Sequence, residues 1–380
     1  MDFRLTEEQE QVKQMVRDFA EREIKPHVMQ WDEAQHFPLE TIKALGRLGM
    51  LGAIFPERYG GAGLSYVDYV NIIEELAVVE SGVALAVAAH NSLCSGHIYL
   101  GGSEAQRTQY LPKLTTGEWI GCWALTEPAS GSDAAGLRCS AVKDGDHWVL
   151  NGTKNFITNT SYAQVAVVLA VSDTHDKKHG ITAFVIEMDR DGIRPGKKEN
   201  KLGMRTSDTA ELVLENCRVP EANVLGKVGY GFIDAMKVLD GGRISIGALA
   251  LGIARGAYEA ARNYAKERTA FGQPIANFQA IQFMLSDMAT EIEAARLLCY
   301  RAAALKDAGE KTTLWSSMAK LYASETAVRA TQKSVQIFGG YGFIKEYPAE
   351  KFYRDVMLCT IGEGTSEIQR MVIARALLTM

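Results

Sequence analysis

Apolar residues recur at helical spacing from the start of the chain: Val12, Met15, Val16 and Phe19 define one buried stripe. Thr6-Glu7-Glu8-Gln9 ahead of them has the form of a capping box, and Pro26 predicts the end of this first helix. Helical patterns continue over residues 40–51, 66–79, 84–99 and 104–114, with turns at Pro56, Gly60-Gly61-Ala62-Gly63, Gly101-Gly102 and Gly117. Near residue 123 the period changes. Short β-rich runs at 148–150, 165–171, 181–188 and 210–214 are separated by Asp144-Gly145, Asn151-Gly152, Asp191-Gly192 and Pro195-Gly196. Strands this short predict an antiparallel barrel or sandwich of roughly a hundred residues. Strand and helix do not alternate here, which argues against a dinucleotide-binding fold of the strand–helix–strand type. After Gly231 helices return. Leu285, Met288, Ile292, Ala295 and Cys299 alternate spacings of three and four, as in helices packed side by side in a bundle. The expected architecture is α+β and multidomain: a helical domain over 1–122, a β domain over 123–232 and a helical bundle over 233–380.

Composition narrows the function classes. A chain of 380 residues exceeds one compact core. The net charge of −5 argues against nucleic acid as the main partner, while leaving room for a local basic patch around an anionic ligand. Six scattered cysteines without a C-x-x-C pair read as buried thiols of a reducing compartment. No His/Asp/Glu cluster suggests a metal, and His90 and His97, seven apart on one predicted helix, read as packing residues. The polar opening and the lack of a long apolar run predict neither a secretory signal nor a membrane span. The expected address is the bacterial cytoplasm, or the mitochondrial matrix for a processed eukaryotic protein.

The stretch from Trp123 to Asp133 concentrates small, hydroxylated and acidic residues around Pro128 and Gly131. Such a loop lets backbone N–H groups and the Thr126, Ser130 and Ser132 hydroxyls approach a flat polar ligand. By composition alone it reads as an ordinary surface loop. Ala124-Leu-Thr-Glu-Pro-Ala-Ser-Gly-Ser-Asp-Ala-Ala-Gly136 resembles the flavin-contacting motif of the acyl-CoA dehydrogenases. Gln336-Ile-Phe-Gly-Gly-Tyr-Gly-Phe-Ile-Lys-Glu346 resembles a second motif of that family, with Arg268-Thr-Ala-Phe-Gly272 between the two and Lys351 and Asp355 at the intervals that follow. The resemblance extends from Leu5 almost to the C-terminus. It implies a helical domain, a β domain and a four-helix bundle, matching the three-part reading above.

The resemblance also implies FAD-dependent oxidation of an acyl-CoA thioester to the trans-2-enoyl-CoA. Glu363, in Thr360-Ile-Gly-Glu-Gly-Thr-Ser-Glu367, is the implied base for the α-proton; in isolation it reads equally as a helix N-terminal acid. Several relatives carry their base where this chain has Gly242. Trp123, Leu125, Thr126, Gly131, Ser132, Phe156, Ile157 and Thr158 are the implied flavin contacts, Phe156 standing where the family often has tryptophan. Arg268, Gln279, Gln336, Gly339 and Gly340 are implied to reach the FAD diphosphate and adenosine of a neighbouring subunit, and Thr365 and Glu367 also to contact FAD. Ser132, Asp240, Arg243 and Gly364 are the implied substrate contacts. A shared site implies a homo-oligomer, expected to be a tetramer, with an electron-transferring flavoprotein as acceptor.

For specificity, Gly362 replaces the tyrosine usual before the base, which is expected either to widen the pocket toward branched or cyclic acyl groups or to leave space that another side chain fills. Ala77 and Ala84 stand where a glutaryl-specific branch has Arg and Glu, which disfavours a dicarboxylic substrate. Leu239-Asp-Gly-Gly-Arg-Ile-Ser-Ile246 is most like the short-chain and short-branched-chain members. A short, uncharged acyl-CoA is therefore expected. A flavin oxidase or monooxygenase on the same fold, and a non-catalytic acyl-CoA-binding protein, are the alternatives.

Overall fold

The computed structural model describes residues 4–176 and 179–379. Helix α1 (Glu7–Phe19) opens with the expected capping box, Thr6 Oγ1 accepting from the Gln9 amide at 3.2 Å and Gln9 Oε1 from the Thr6 amide at 3.0 Å. Val16 and Phe19 are buried, whereas Met15 is 37% exposed. Pro26 marks the expected end of the first helix, which with its π-helical continuation stops at Ile24. It sits in a three-residue 3-10 turn after a π-helical stretch (Ala20–Ile24), and α2 (Val28–Ala34) follows directly. A proline early in a helical turn forfeits no intrahelical hydrogen bond, so the chain winds on. Then come α3 (Leu39–Arg47), α4 (Tyr66–Val79) and α5 (Ser81–Ala88). From α5 the chain winds through the π-helical Ala89–Ser95 into α6 (Gly96–Gly101), before α7 (Glu104–Thr115).

The middle segment is one sheet of β1 (Gly121–Ala124), β2 (Ser140–Asp144), β3 (His147–Thr158), β4 (Val165–Val171), β5 (Ile181–Glu187), β6 (Ile193–Lys198), β7 (Thr209–Pro220) and β8 (Val224–Leu225). Its order is β6-β7-β3-β2-β4-β5-β8, with β1 paired to β4. The barrel expected from sequence does not close, since β6 and β8 end the path. Nor is it wholly antiparallel: β1 runs parallel to β4, and β2 meets β4 in one parallel pair. Two pairs read as turns lie inside strands. Asn151-Gly152 falls within β3, where the register against β7 slips and Gly152 takes φ 142°, as at a bulge. Pro195-Gly196 falls within β6, an end strand where a missing N–H is tolerated.

β4 explains its uninterrupted apolar run by burying both faces. Ala166, Val168 and Ala170 join one core with Trp148 and Phe184, while Val165, Val167 and Leu169 pack with Ile98, Tyr110 and Leu114 of the helical segment.

The last segment holds α8 (Gly231–Glu267), a small hairpin of β9 (Thr269–Ala270) and β10 (Gln273–Pro274), α9 (Gln279–Asp307), α10 (Thr313–Phe338), α11 (Pro348–Asp355) and α12 (Ser366–Leu378). Helices α8, α9, α10 and α12 form the bundle, and α4 packs onto α8 and α9. First and last segments thus share one core reaching from Val16 to Cys359. Gly252 permits the closest approach: a Cβ there would lie 2.5 Å from the Glu74 carbonyl oxygen and 2.6 Å from Ala77 Cβ. The three segments also meet at a buried polar knot. Lys351 Nζ pairs with Glu80 at 3.0 Å and Asp355 at 2.6 Å, while Thr206 Oγ1 donates to Glu80 and the Met204 amide to Asp355.

Candidate active site

Glu363 lies between a 3-10 turn (Val356–Thr360) and α12, on a backbone no ordinary residue adopts freely: φ is 53° at Glu363 and 93° at Gly364. A non-glycine residue in the left-handed region costs about 1 kcal/mol and persists only where its surroundings impose it. Here they do. Lys320 Nζ, from α10, donates to the Gly364 carbonyl at 2.7 Å. Gln369 Nε2, one turn into α12, donates to the Glu363 carbonyl at 3.2 Å and to the Gly364 carbonyl at 2.9 Å. Thr365 caps α12, its hydroxyl accepting from the Ile368 amide at 3.3 Å.

The turn aims the Glu363 carboxylate at α8. A Cβ placed on Gly242 would sit 1.9 Å from Glu363 Oε2. That oxygen is buried and has no hydrogen-bond partner among the described residues. Burial pushes the carboxyl up to about 7, against the opposing pull of Lys320 and Arg243. Arg243 is itself 5% exposed, pairs with Asp240 at 2.6 Å, and Thr313 Oγ1 donates to the other Asp240 oxygen at 2.6 Å. Behind Gly242 a buried relay links Tyr69, Ser92 and Ser245 hydroxyls at 2.9 and 3.1 Å, ending on the Gly242 carbonyl at 2.9 Å. Beside it Ala89, Leu93, Val238 and Leu239 form an apolar wall with Trp123 and Met236. This is a desolvated carboxylate next to apolar surface.

The Trp123–Asp133 loop leaves β1 with the Trp123 indole N–H donating to His97 Nδ1 at 3.0 Å. Leu125 is buried, and the Thr126 carbonyl accepts from the Asn155 amide at 2.8 Å. Lys154, fully buried, donates to the Leu125 carbonyl at 3.1 Å and to Glu127 at 2.7 Å; Glu127 in turn accepts the Arg138 and Cys139 amides. The loop is therefore pinned to β3 from inside, leaving Gly131 and Ser132 exposed. A second register slip, between Lys154 and Ile157, turns Phe156 outward at φ 59°. Phe156 is 61% exposed, while Ile157 is buried and Thr158 half-buried. A bulge that re-aims one aromatic beside a pinned loop makes a platform for a flat ring.

Arg268, Gly339 and Gly340 come together elsewhere, lining a cleft of about 410 Å³ with Tyr264, Ile275, Ile337, Phe338, Tyr341 and Ile344. The Arg268 guanidinium lies 5.4 Å over the Tyr341 ring, so its fork is held by stacking and stays exposed. Gln279 begins α9 and Gln336 lies near the end of α10, both exposed. Phe271 and Phe343 are 95% and 88% exposed.

The structure thus gathers Glu363, Gly364, Asp240 and Arg243 at one centre, residues 123–132 and 156–158 at the loop, and Arg268, Gly339 and Gly340 in the cleft. Glu367 is exposed on the first turn of α12. Ala77 and Ala84 lie on two successive helices, α4 and α5, rather than one, and both are buried in the helical core. Sequence reasoning missed Lys154, Lys320, Gln369 and the role of Glu127. Lys320 had a signal: it interrupts the buried small-residue face Ser316, Ala319, Ala323, Ser324 and Ala327 of α10.

Family models of acyl-CoA dehydrogenases match nearly the whole chain: the N-terminal domain over residues 6–118, the middle domain over 122–217 and the C-terminal domain over 229–378. The chain belongs to the acyl-CoA dehydrogenase family. It is 48% identical over 374 residues to "Acyl-CoA dehydrogenase, short-chain specific" of Clostridium acetobutylicum, covering 98% of this chain and 99% of that one. It superposes on butyryl-CoA dehydrogenase from Megasphaera elsdenii with a TM-score of 0.98 at 44% identity, each chain covered completely. A chain in the structure described as "Electron transferring flavoprotein of Acidaminococcus fermentans" gives a TM-score of 0.99 at 47% identity, again over all of both chains.

The protein is an enzyme, an acyl-CoA dehydrogenase, and its cofactor is FAD. The residues present fit that cofactor. The outward Phe156, the open space around Gly131, where a Cβ would meet no atom within 4 Å, and the stacked, exposed Arg268 provide an aromatic face, close backbone approach and a phosphate-suited cation. Among the described residues no helix is long and apolar enough to cross a membrane.

Proposed function

We propose that this enzyme oxidises a short, uncharged acyl-CoA to its trans-2-enoyl-CoA, with Glu363 removing the α-proton. The observation that carries this reading is the buried, unpartnered Glu363 Oε2 facing Gly242. An oxygen without a hydrogen-bond donor keeps its basicity, and a carboxyl raised to about 7 accepts a proton far better than one in water. Gly242 keeps α8 from occupying the volume in which the carboxylate works. Trp123, Ala89, Leu93 and Leu239 exclude water from the acyl chain. The Glu363 amide donates to the thioester carbonyl and makes the α-proton more acidic.

Bound FAD supplies the acceptor for the β-hydride. Trp123, Leu125, Thr126, Gly131, Ser132, Phe156, Ile157 and Thr158 hold its ring, with Thr365 and Glu367 at the start of α12 also in contact. Ser132, Asp240, Arg243 and Gly364 hold the substrate, Arg243 bringing a positive charge that its pairing with Asp240 orients. The exposure of Arg268, Gln279, Gln336, Gly339 and Gly340 supports a cofactor site completed between subunits, and hence a homo-oligomer, of which a tetramer is the form proposed. The structural likeness to the Acidaminococcus chain supports an electron-transferring flavoprotein as acceptor. Short chain length is supported by the Clostridium and Megasphaera relatives. Gly362 has room beside it, since an added Cβ would meet Leu358 at 3.4–3.6 Å, an ordinary contact.

Anaerobic bleaching of the bound flavin by butyryl-, isobutyryl-, 2-methylbutyryl-, cyclohexanecarbonyl-, glutaryl- and octanoyl-CoA tests this reading. Fast bleaching by the short, uncharged esters is expected. Preferential bleaching by glutaryl- or octanoyl-CoA would overturn the substrate class, and rapid reoxidation of the reduced flavin in air would indicate an oxidase.

A further inference from the structure

Lys320 is a lysine in an unusual place. It is fully buried among the small residues of α10, and α8 packs directly against its backbone, where a Cβ on Gly247 would come within 3.6 Å of Lys320 Cα. A buried ammonium ordinarily pairs with a carboxylate, as Lys154 does with Glu127 and Lys351 with Glu80 and Asp355. Lys320 instead donates at 2.7 Å to a neutral acceptor, the Gly364 carbonyl. That carbonyl belongs to the turn that holds Glu363 in the left-handed region.

We propose that Lys320 is a positioning residue for the dehydrogenation: its hydrogen bond to Gly364 fixes the Glu363–Gly364 turn, and its charge keeps the Glu363 carboxylate available as a base. The proposal rests on the reading of Glu363 as that base. Two physical effects are involved. The hydrogen bond, shared with Gln369 Nε2, supplies the constraint that a strained turn requires. The charge offsets part of the desolvation that burial imposes on the carboxylate.

Other groups face the same centre, and each bears on the titration. Arg243 on α8 acts on Glu363 in the same direction as Lys320. Tyr69 on α4 lies close enough for Glu363 to raise its phenol further, after burial. Cys359 and Glu367 border Lys320. Lys320 titrates low, at about 8, because burial dominates over the raising effects of Cys359 and Glu363. The site therefore holds an acid and a base with neighbouring titrations, and loss of the Lys320 proton above pH 8 works against the same carboxylate.

Three variants of the flavin-loaded enzyme separate the effects. Lys320→Gln keeps a donor and loses the charge, Lys320→Met loses both, and Lys320→Arg keeps the charge. The first readout is the acid limb of kcat/KM for butyryl-CoA. The second is the infrared carbonyl stretch of the protonated Glu363 carboxyl, followed against pH and assigned by its absence in Glu363→Gln. The expected result is an upward shift of about one pH unit in both readouts for Gln and Met, and a wild-type position for Arg. Met should also lower kcat by about tenfold or more, because the turn loses its anchor. Should Lys320→Gln fail to fold, Lys320→Met carries the same pH prediction with a side chain suited to an apolar site. A loss of activity or stability with both titrations unmoved would overturn the proposal and leave Lys320 structural. Retained turnover in Glu363→Gln would instead overturn the base assignment, which sets the two failures apart.

Discussion

Replacing Gly242 by alanine adds a single methyl group where the structure can least accept it for chemistry and most easily for stability. The new Cβ would lie 1.9 Å from Glu363 Oε2, 2.9 Å from its Cδ and 3.1 Å from Leu93 Cδ2. An ordinary carbon–oxygen contact is about 3.4 Å, so the oxygen must retreat by about 1.5 Å. It gives up no hydrogen bond in doing so, because it has none among the described residues. Gly242 lies inside α8 with an ordinary φ, and alanine there gains about 1 kcal/mol of helix propensity, offset in part by the Leu93 contact. The folded state should therefore melt within a few degrees of wild type. A displacement of about 1 Å at a reacting group costs on the order of a hundredfold, or about 2.7 kcal/mol in the barrier. Stopped-flow reduction of the flavin by butyryl-CoA measures that loss, with thermal unfolding as the control. A Gly242→Ala enzyme reduced within twofold of the wild-type rate would refute the placement of the carboxylate.

Other predictions follow from the same geometry. The acid limb of kcat/KM should fall tenfold per pH unit below about 7 as Glu363 protonates, a profile readable from steady-state rates. Since folding raises that carboxyl, its stability contribution is greatest below the usual glutamate pKa and is lost as pH rises through 7; Glu363→Gln should thus be more stable than wild type at pH 8, by about 2 kcal/mol in urea titrations. Lys154→Met should leave Glu127 buried without its cation and lose about 3 kcal/mol of stability, with FAD released more readily in equilibrium dialysis. Gly362→Tyr, whose Cβ would make only ordinary contacts with Leu358, should lower kcat/KM for 2-methylbutyryl-CoA relative to butyryl-CoA by about tenfold.

The three-part order of helices, sheet and helices was legible because each segment carries its own hydrophobic period. Lengths were less so. The run read at 148–150 is only the start of a twelve-residue strand, because Asn151-Gly152 forms a bulge and nothing local separates a bulge from a turn. Pro26 correctly marked the end of the first helix, but not that α2 would follow after a single turn, which packing decides. Glu363 and the Thr126 loop were readable as motifs. Their supports were not. The Lys154–Glu127 and Lys320–Gly364 contacts span 27 and 44 residues, and neither pairing has any signature in spacing. The open edge of the sheet likewise rests on register, which composition does not encode.

The central claim is that Glu363 takes the α-proton, and the direct test is anaerobic mixing of the FAD-loaded Glu363→Gln variant with butyryl-CoA. The variant should bind flavin and ester while its flavin bleaches at least a thousandfold more slowly than wild type. Bleaching at the wild-type rate would contradict the account.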